Sequence, residues 1–401
     1  MKEGWTYKKL GEIATEMYRG SGIKRDQVTK EGTPCVRYGE IYTTYNISFN
    51  TCVSHTSIQN IASPKYFEHG DLLFAITGES VEDIGKTIAY LGNDKCLCGG
   101  DIICMKHRQN PKYLAYALST PDAIRQKGIG KTKLKVVHTN APALKAISIP
   151  LAPLSEQQSI VDYLDSAFAK IDAMKANAEK ALNEAKALFQ ASLKEMLEPK
   201  EGWEEKVFGD LVVSNIVGLT RGKVEQGYEK KYPYLKMNNI SPNNTLCWDD
   251  LICVDANEEE LEKYCLQEGD FLFNTRNSKE WVGKSTVYRD YDAPVMLYNN
   301  NVMRIRFVDT INPVFVAYSF LADYTKDQLE KIKSGTTNVW AIYYRDLSKI
   351  LLTYPLLSEQ QSIVETLDSL KSKVDKLQAN CDKISQECDA LKQAILRQVF
   401  E

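Results

Sequence analysis

The chain has 401 residues, of which 43% are hydrophobic and 26% charged, a balance that is typical of a folded protein and excludes a disordered one. Its length exceeds one ordinary core, so we expect two or three domains, and no stretch approaches the length of a membrane span. The formal net charge of −3 argues against a free-standing nucleic-acid binder, which is usually more basic, but less against one that shares phosphate contacts with partner subunits.

The two ends of the composition argument concern location and metals. The start, Met1-Lys2-Glu3-Gly4-Trp5, lacks the apolar core of a signal peptide, so we expect a cytoplasmic protein whose ten cysteines are reduced. A zinc site is not expected, because no Cys-x-x-Cys occurs and the four histidines are scattered.

Residues 1–150 form a first predicted globule, and its elements return in the same order about 200 residues later. A predicted strand and turn at 33–41 corresponds to 232–240, and Gly70-Asp71 before a buried strand corresponds to Gly269-Asp270. In each globule an Asn-Pro pair then begins a predicted helix that runs to glycines, since Asn is a good N-cap and Pro suits the first helical position. The pairs are Asn110-Pro111 and Asn312-Pro313.

A seven-residue segment after each globule is repeated letter for letter. Ser155-Glu156-Gln157-Gln158-Ser159-Ile160-Val161 recurs 203 residues later as the segment that begins at Ser358. Such an identity at half the chain length indicates an internal tandem repeat. Each copy opens a long helical pattern, so the chain reads as globule, helix, globule, helix.

The apolar positions of the second helical pattern alternate between spacings of three and four residues, which predicts a coiled-coil seam. The predicted seam of the second helix is Leu367, Leu370, Val374, Leu377, Cys381, Ile384, Cys388, Leu391 and Ile395. The matching seam of the first helix is Leu164, Ala167, Ile171, Met174, Ala178, Ala181, Ala185 and Leu188, with Phe168, Leu182 and Phe189 beside it. Because alanines on one helix leave room for larger side chains on the other, we expect the two helices to pack as an antiparallel pair.

The predicted fold class is α+β, with two similar mixed α/β domains separated by two long helices in an antiparallel coiled coil. The predicted domains are residues 1–150, a central helical repeat at 151–200, a second globule at 201–353 and a C-terminal helical repeat at 354–401.

A duplicated Ser-Glu-Gln-Gln segment after a proline-leucine lead-in, followed by a long helix and preceded by two dissimilar globules, resembles the specificity subunit of type I restriction–modification systems. The lead-ins are Pro150-Leu151-Ala152-Pro153-Leu154 and Pro355-Leu356-Leu357, and the second departs from the family's fuller proline pattern. The resemblance covers the whole chain.

The resemblance implies a sequence-specific DNA-recognition subunit with two target-recognition domains, each reading one half of a bipartite, asymmetric target. It implies that the helices act as a spacer and as the docking site for two methylation subunits. Adenine methylation and ATP-dependent cleavage, with S-adenosylmethionine, ATP and Mg, would then belong to the methylation and restriction subunits. On this basis we expect double-stranded DNA as a partner, no membrane, and no cofactor or catalytic residue in this chain.

The residues themselves give no convincing enzyme motif. Gly85-Lys86-Thr87 and Gly283-Lys284-Ser285 suggest a phosphate-binding loop, but that loop requires a glycine where the chain has Ser80 and Ser278. We therefore expect a turn that exposes one lysine.

Candidate DNA contacts are polar or basic residues in turns after predicted strands, because such side chains can reach base edges and phosphates. The first group is Arg37 and Tyr38, with Lys236, Asn238 and Asn239 at the matching place. The second group, just past the two Gly-Asp strands, is Thr77, Glu79, Arg276, Asn277 and Lys279. The third group is Lys131, Lys133 and Lys135, matched by Thr336, Thr337 and Asn338. The alternative interpretation is that these are solvated loop residues.

The duplicated segment supplies the candidate subunit-docking residues, on the resemblance alone. They are Ser155, Glu156, Gln157, Gln158, Ser358, Glu359, Gln360 and Gln361. The same residues could instead be ordinary helix N-termini with Ser155 and Ser358 as caps. Two other functions also stay open at this point, namely a coiled-coil scaffold that spaces two protein-binding modules, and a DNA-reading subunit of another defence system.

Overall fold

The computed structural model describes residues 4–130, 136–289 and 295–401, and it divides the chain into two compact units. Unit 1 consists of Met1–Glu179 and Asn380–Glu401, and unit 2 of Lys180–Ala379. Each unit therefore combines one globule with parts of both long helices. The predicted α+β class, the internal repeat and the long helices are confirmed.

The elements of the first globule are short strands with a few helices between them. The strands are β1 (Thr6–Lys9), β2 (Glu16–Arg19), β3 (Val28–Thr29), β4 (Thr33–Val36), β5 (Ser48–Phe49), β6 (Ser54–Thr56), β7 (Tyr66–Phe67), β8 (Leu72–Ala75), β9 (Thr77–Gly78), β10 (Thr87–Tyr90), β11 (Cys96–Cys98), β12 (Ile102–Lys106), β13 (Val137–His138) and β14 (Ser148–Leu151). The helices are α1 (Leu10–Ile13), α2 (Tyr38–Thr43), α3 (Pro111–Ala117), α4 (Pro121–Gly128) and α5 (Ala141–Lys145), and the first long helix, α6, spans Leu154–Leu197. Short 3₁₀ turns lie at Arg25–Gln27 and Ile58–Asn60.

The second globule repeats this order. Its strands are β15 (Glu204–Val207), β16 (Val212–Val217), β17 (Gln226–Gly227), β18 (Tyr232–Leu235), β19 (Ile252–Val254), β20 (Phe271–Asn274), β21 (Arg276–Asn277), β22 (Ser285–Val287), β23 (Leu297–Tyr298), β24 (Val302–Phe307), β25 (Ser334–Gly335), β26 (Trp340–Ala341) and β27 (Leu351–Tyr354). The helices are α7 (Glu258–Tyr264), α8 (Pro313–Ser319), α9 (Asp323–Ile332), α10 (Tyr344–Leu347) and the second long helix, α11 (Leu357–Phe400). The 3₁₀ turns are Phe208–Leu211, Lys223–Glu225 and Met237–Asn239.

The sheets of the two globules correspond closely. The first globule has two five-stranded sheets, in the orders β2-β12-β8-β10-β5 and β3-β6-β4-β11-β7, and the second has four-stranded sheets in the orders β16-β24-β20-β22 and β17-β19-β18-β23. Each globule also has an antiparallel pair that joins its first and last strands, β1 with β14 and β15 with β27. A further small sheet, β9 with β13 in one globule and β21-β26-β25 in the other, completes each set.

The predicted helix after each Asn-Pro pair begins where expected and ends earlier. Asn110 Oδ1 accepts a hydrogen bond from the backbone N–H of Tyr113 at 3.1 Å, which caps α3. Thr120 then caps a second helix, α4, that begins at Pro121. Proline cannot continue the hydrogen-bond ladder of the preceding helix, so the single helix predicted up to the glycines is divided in two.

In unit 1, α6 and the C-terminal part of α11 run antiparallel. Lys392 Nζ binds the Asp172 carboxylate, and Lys175 lies 3.9 Å from that of Asp389, so positions rise along one helix as they fall along the other. The aromatic ring of Phe400 lies 6.3 Å from that of Trp5, within the main core of this unit. In unit 2, Lys186 Nζ donates to Gln378 Oε1 at 2.7 Å. The predicted antiparallel packing is confirmed.

The predicted seam is correct for part of its length. Leu164, Ile171, Leu367, Cys381 and Cys388 are buried, but Met174 and Leu188 are 58% and 59% exposed. The buried positions on α6 are instead Phe168, Leu182, Phe189 and Leu193. A straight helix has 3.6 residues per turn and drifts from a strict heptad, and the globules also cover part of α6, so the buried face rotates along it.

Candidate nucleic-acid interface

The small sheet of the second globule brings two predicted groups of DNA-contact residues together. Arg276 and Asn277 form β21, which pairs with β26 in the register Arg276↔Ala341 and Asn277↔Trp340. The adjacent strand β25 is joined to β26 by the turn that carries Thr336, Thr337 and Asn338. The side chains of Arg276 and of these three turn residues are exposed. Guanidinium, hydroxyl and amide groups are therefore displayed from one three-stranded sheet.

Two other predicted residues in this region have structural contacts. Asn277 Nδ2 donates to Asn274 Oδ1 at 2.9 Å, and its own Oδ1 accepts from the backbone N–H of Ser278 at 2.9 Å, so the amide holds the turn. The Lys279 ammonium lies 4.9 Å from the centre of the Trp340 ring, a cation–π contact at the surface. Trp340 is half-buried, in agreement with the packing role expected for it.

The first globule has the corresponding small sheet with different side chains. Thr77 pairs with His138, and its hydroxyl lies 3.1 Å from His138 Nδ1. Thr77 is buried, so this hydroxyl supports the sheet from within. Glu79, which follows the strand, is exposed. Lys131, Lys133 and Lys135 lie outside the described residues.

A cleft of about 800 Å³ adjoins the predicted first group in the first globule. Arg37 and Tyr38 line it together with Lys24, Arg25 and Thr43. Glu40 fixes Arg37, because its carboxylate accepts from the Arg37 backbone N–H at 3.0 Å and from the Arg37 side-chain Nε at 3.2 Å. The cleft thus presents a guanidinium held in place beside a phenol that is 39% exposed.

Sequence reasoning missed Lys24 and Arg25. Both are exposed, and Arg25 begins a 3₁₀ turn after the close approach of the chain at Gly20, whose Cβ would lie 2.2 Å from the carbonyl oxygen of Gly99. The adjacent basic pair after Gly20 and Gly22 was the available signal, because such a turn is a usual place for residues that contact a ligand.

The matching turn of the second globule uses the same capping geometry. The backbone N–H of Lys236 donates to Asn239 Oδ1 at 2.9 Å, and Asn239 Nδ2 donates to the carbonyl of Cys247 at 3.1 Å. Asn239 is 2% exposed, so its amide is used inside the globule and does not reach a base. Lys236 Nζ lies 3.4 Å from Gln226 Oε1, and the next side chain but one, Asn238, is exposed.

The lysines of the Gly-Lys-Thr and Gly-Lys-Ser segments are not displayed at the surface, contrary to the expected exposed turn. Lys86 Nζ donates to the carbonyl of Tyr45 at 3.1 Å, and Lys284 Nζ donates to that of Met237 at 2.8 Å and also to that of Ile240. Burial lowers the pKa of both amines below the usual value. Each lysine therefore ties the main sheet to the segment that carries the first group of predicted contacts.

The predicted docking segment divides into buried and exposed side chains. Gln157 and Gln360 are fully buried, and each accepts from the backbone N–H of the helix-capping asparagine, Asn110 or Asn312, at 2.9 and 2.8 Å. These two amides are used within the chain and cannot contact a partner's surface. The exposed members are Ser155, Glu156, Gln158, Ser358, Glu359 and Gln361.

The serines of this segment lie within the first helical turn, since α6 and α11 begin one residue earlier, at Leu154 and Leu357. Ser155 and Ser358 therefore do not occupy the cap positions that sequence reasoning allowed them. The glutamates have repeated partners, because the indole N–H of Trp5 donates to Glu156 and that of Trp203 donates to Glu359, both at 3.3 Å.

Two further observations concern metals and membranes. In the described ranges, no group of three or more His, Cys, Asp or Glu side chains is arranged to hold a metal ion. None of the helices in these ranges combines the length and hydropathy that crossing a bilayer demands. All ten cysteines are free thiols.

Comparison with known proteins identifies the family. The profile described as "Type I restriction modification DNA specificity domain" matches residues 2–184 and 200–385. The EcoKI specificity subunit of the type I restriction enzyme of Escherichia coli is 26% identical over 424 residues, which cover 100% of this chain and 89% of the relative.

Solved structures share the fold. A chain from a study of complex assembly and conformational transition of the type I R-M system has a TM-score of 0.76 at 19% identity, covering 100% of this chain and 98% of that one. The HsdS subunit from Thermoanaerobacter tengcongensis has a TM-score of 0.57 at 18% identity, covering 100% and 97%. The scaffold alternative is not favoured, because the matched family is one of DNA specificity. The chain belongs to the family of type I restriction modification DNA specificity domains.

Proposed function

We propose that each globule reads one half of a bipartite, asymmetric DNA target. The observation that carries the proposal is the small sheet that both globules contain, which has the same place in the topology and different side chains. Arg276 stands in the second globule where Thr77 stands in the first, and the paired position holds Ala341 in place of His138. One framework with two sets of side chains is what two unlike half-sites require.

The exposed side chains have the chemistry of base and phosphate recognition. Arginine can donate two hydrogen bonds to guanine, asparagine can pair with adenine, and threonine can contact either kind of base edge. We assign base reading in the second globule to Arg276, Thr336, Thr337 and Asn338, and in the first to Arg25, Arg37 and Tyr38. Exposed lysines, including Lys24 and Lys279, would hold phosphates. Lys131, Lys133 and Lys135 stay predicted contacts of the first globule.

Thr77, Asn239 and Asn277 act in this scheme as supports. Their side chains hydrogen-bond to neighbouring residues of the same globule, which keeps the reading turns in one conformation. Glu79 and Asn238 are exposed and remain candidate contacts.

The chain would act as the recognition part of a larger enzyme in the cytoplasm. We propose that two methylation subunits dock on the helical repeats and that restriction subunits join them, with S-adenosylmethionine, ATP and Mg bound by those subunits. A net charge of −3 supports shared phosphate contacts, since a single chain that bound DNA alone would be more basic. The exposed members of the duplicated segment, led by Glu156 and Glu359, are the proposed docking residues, and the helices between them the spacer.

Methylome sequencing of cells that carry the complete system tests this function. We expect methylated adenines within one split sequence whose two halves differ, and their loss when the gene for this chain is deleted. A matched measurement is salt-dependent DNA binding by the assembled complex, with a target-free duplex of equal length as the control. Methylation that persists without this chain, or binding without sequence preference, would contradict the proposal.

A further inference from the structure

The second globule contains a groove of about 440 Å³ that has a buried hydroxyl in its wall. Ser285, at the start of β22, is 2% exposed, and its Oγ has no hydrogen-bond partner among the described residues. Gly283, Phe320 and Leu329 line the same groove. A buried hydroxyl without a partner costs free energy, and such a group in a native fold calls for a ligand or another explanation.

The first globule shows what occupies the matching place there. Thr87, at the start of β10, corresponds to Ser285, and Lys127 Nζ lies 3.1 Å from its Oγ1. The same ammonium donates to the carbonyl of Leu118 at 2.8 Å. The stem of Lys127 also passes Gly85, since a Cβ on that glycine would lie 3.2 Å from Lys127 Cδ. One alkylammonium group thus fills the site in the first globule.

A repeated pair of hydrogen bonds fixes the correspondence between the two helices that follow. Gln126 Oε1 accepts from the backbone N–H of Ser148 at 2.8 Å and its Nε2 donates to the carbonyl of the same residue at 2.9 Å. Gln328 makes the same two bonds with Leu351, at 2.8 and 3.0 Å. The next residue is Lys127 in the first globule and Leu329 in the second. Leucine has no donor, so the hydroxyl of Ser285 loses the partner that Thr87 has.

The groove retains the other features that an ammonium group needs. Phe320 ends α8 as Leu118 ends α3, so its backbone stands at the position of the second acceptor. At the rim, the carboxylates of Glu280 and Asp327 are exposed. The cationic lining residues Lys284 and Lys333 direct their amines to acceptors of their own, the carbonyls of Met237 and Lys279, while Lys326 is exposed.

We propose that this groove binds a linear alkyldiamine. One ammonium donates to Ser285 Oγ, in the place that Lys127 takes beside Thr87, and the second lies at the rim near Glu280 and Asp327. The alkyl chain between them packs on Leu329 and Phe320. The proposal does not depend on DNA recognition, because the groove is formed within the second globule alone.

Isothermal titration calorimetry of the full chain with 1,4-diaminobutane tests the proposal, with 1,4-butanediol as a neutral ligand of the same length. We expect saturable binding at one site for the diamine and none for the diol. Ser285→Ala should weaken diamine binding by about tenfold or more, since a hydrogen bond to a charged group contributes about 1.5–3 kcal/mol. It should not destabilise the fold, because it removes a buried group that has no partner.

Leu329→Lys is the sharper variant, because it ties an ammonium to the position that Lys127 has in the first globule. It should abolish diamine binding, whereas Thr87→Ser, a conservative change at the matching place, should leave it unchanged. If Leu329→Lys does not fold, the Ser285→Ala result decides. Equal binding of diol and diamine, unchanged affinity in Ser285→Ala, or no saturable binding to the wild type would overturn the proposal.

Discussion

Gln360 and Asn312 are joined by a hydrogen bond of 2.8 Å from the Asn312 backbone N–H to the Gln360 side-chain oxygen. Asn312 in turn caps α8, with its own side chain accepting from the N–H groups of Val314 and Phe315. The amide nitrogen of Gln360 donates to the carbonyls of Thr310 and Pro355. The repeated segment at the start of α11 is therefore the clamp that attaches the long helix to its globule, and Gln157 makes the matching contact in the first repeat.

Replacing this glutamine should destabilise the second unit. We expect Gln360→Ala to lower the free energy of unfolding by about 2–4 kcal/mol, because a buried donor left without a partner costs about 1–3 kcal/mol and the cavity adds to that cost. Urea unfolding of the full chain measures the change. Gln361→Ala is the matched control, since Gln361 is the next residue and is exposed. Equal effects of the two variants would show that Gln360 is not a clamp.

Lys127 predicts a dependence of stability on pH. Burial lowers the pKa of its amine from 10.5 to about 7, so below about pH 7 the folded chain carries a buried positive charge. Between pH 7 and 10.5 the unfolded chain binds the proton and the folded one does not, so stability should rise with pH across this range. Lys127→Leu, which copies Leu329, should be more stable than the wild type at pH 6.

The pH trend separates this effect from simple packing. The stability gap between Lys127→Leu and the wild type should shrink by about 1.4 kcal/mol for each pH unit above 7. Thr87 keeps a partner in the variant, because its hydroxyl also donates to the carbonyl of Gly85 at 2.9 Å. Lys145→Leu, at an exposed lysine, should show no such trend. A gap that stays constant from pH 6 to 10 would mean that Lys127 is neutral throughout.

The two halves of the chain should be separable in specificity. Exchange of residues 1–150 for the equivalent domain of a relative should change one half of the methylated sequence and leave the other half intact. The physical reason is that each globule has its own core and its own small sheet. Methylome sequencing reads the result directly. A change in both halves, or in neither, would contradict modular reading.

Arg276 is the side chain on which base reading in the second globule depends most. Arg276→Ala should weaken binding of the target by the assembled complex by about 1–3 kcal/mol and relax selectivity at one position. Lys236→Ala, at the neighbouring turn, should weaken binding as well. Fluorescence anisotropy with the target duplex and with single-base variants measures both effects.

Lys331→Ala provides the matched control for these two variants, because it removes a positive charge from an exposed position on α9, away from the small sheet. It should leave selectivity unchanged. Wild-type affinity and selectivity in both Arg276→Ala and Lys236→Ala would show that the reading surface of the second globule lies elsewhere.

The sequence was sufficient for the repeat, the two globules and the two long helices, because each rests on local signals. The helices after Asn110 and Asn312 follow from a capping residue next to proline, and the long helices from a sustained apolar period. The antiparallel pairing followed from complementary residue sizes. The point where each globular helix divides was missed, although Pro121 marked it in the first repeat.

The exposure of particular side chains could not be predicted, because it depends on tertiary contacts. Thr77 and Asn239 have the polar chemistry of DNA contacts, yet one faces His138 and the other the carbonyl of Cys247. Met174 fits the heptad but is exposed, because the face of α6 that is covered rotates along the helix. The same holds for Gln157, whose place in a repeated motif does not distinguish a clamp from a docking residue.

Lys86 and Lys284 have a consequence for how new specificities arise. Each amine is anchored on main-chain carbonyl oxygens of the reading segment, at Tyr45 in one globule and at Met237 and Ile240 in the other. A carbonyl oxygen is present whatever side chain its residue carries, so the side chains of these segments can be replaced without loss of the anchor. Mutation can therefore alter the bases that are read while the segment stays in place, and a population can diversify its recognised sequences without first losing the fold.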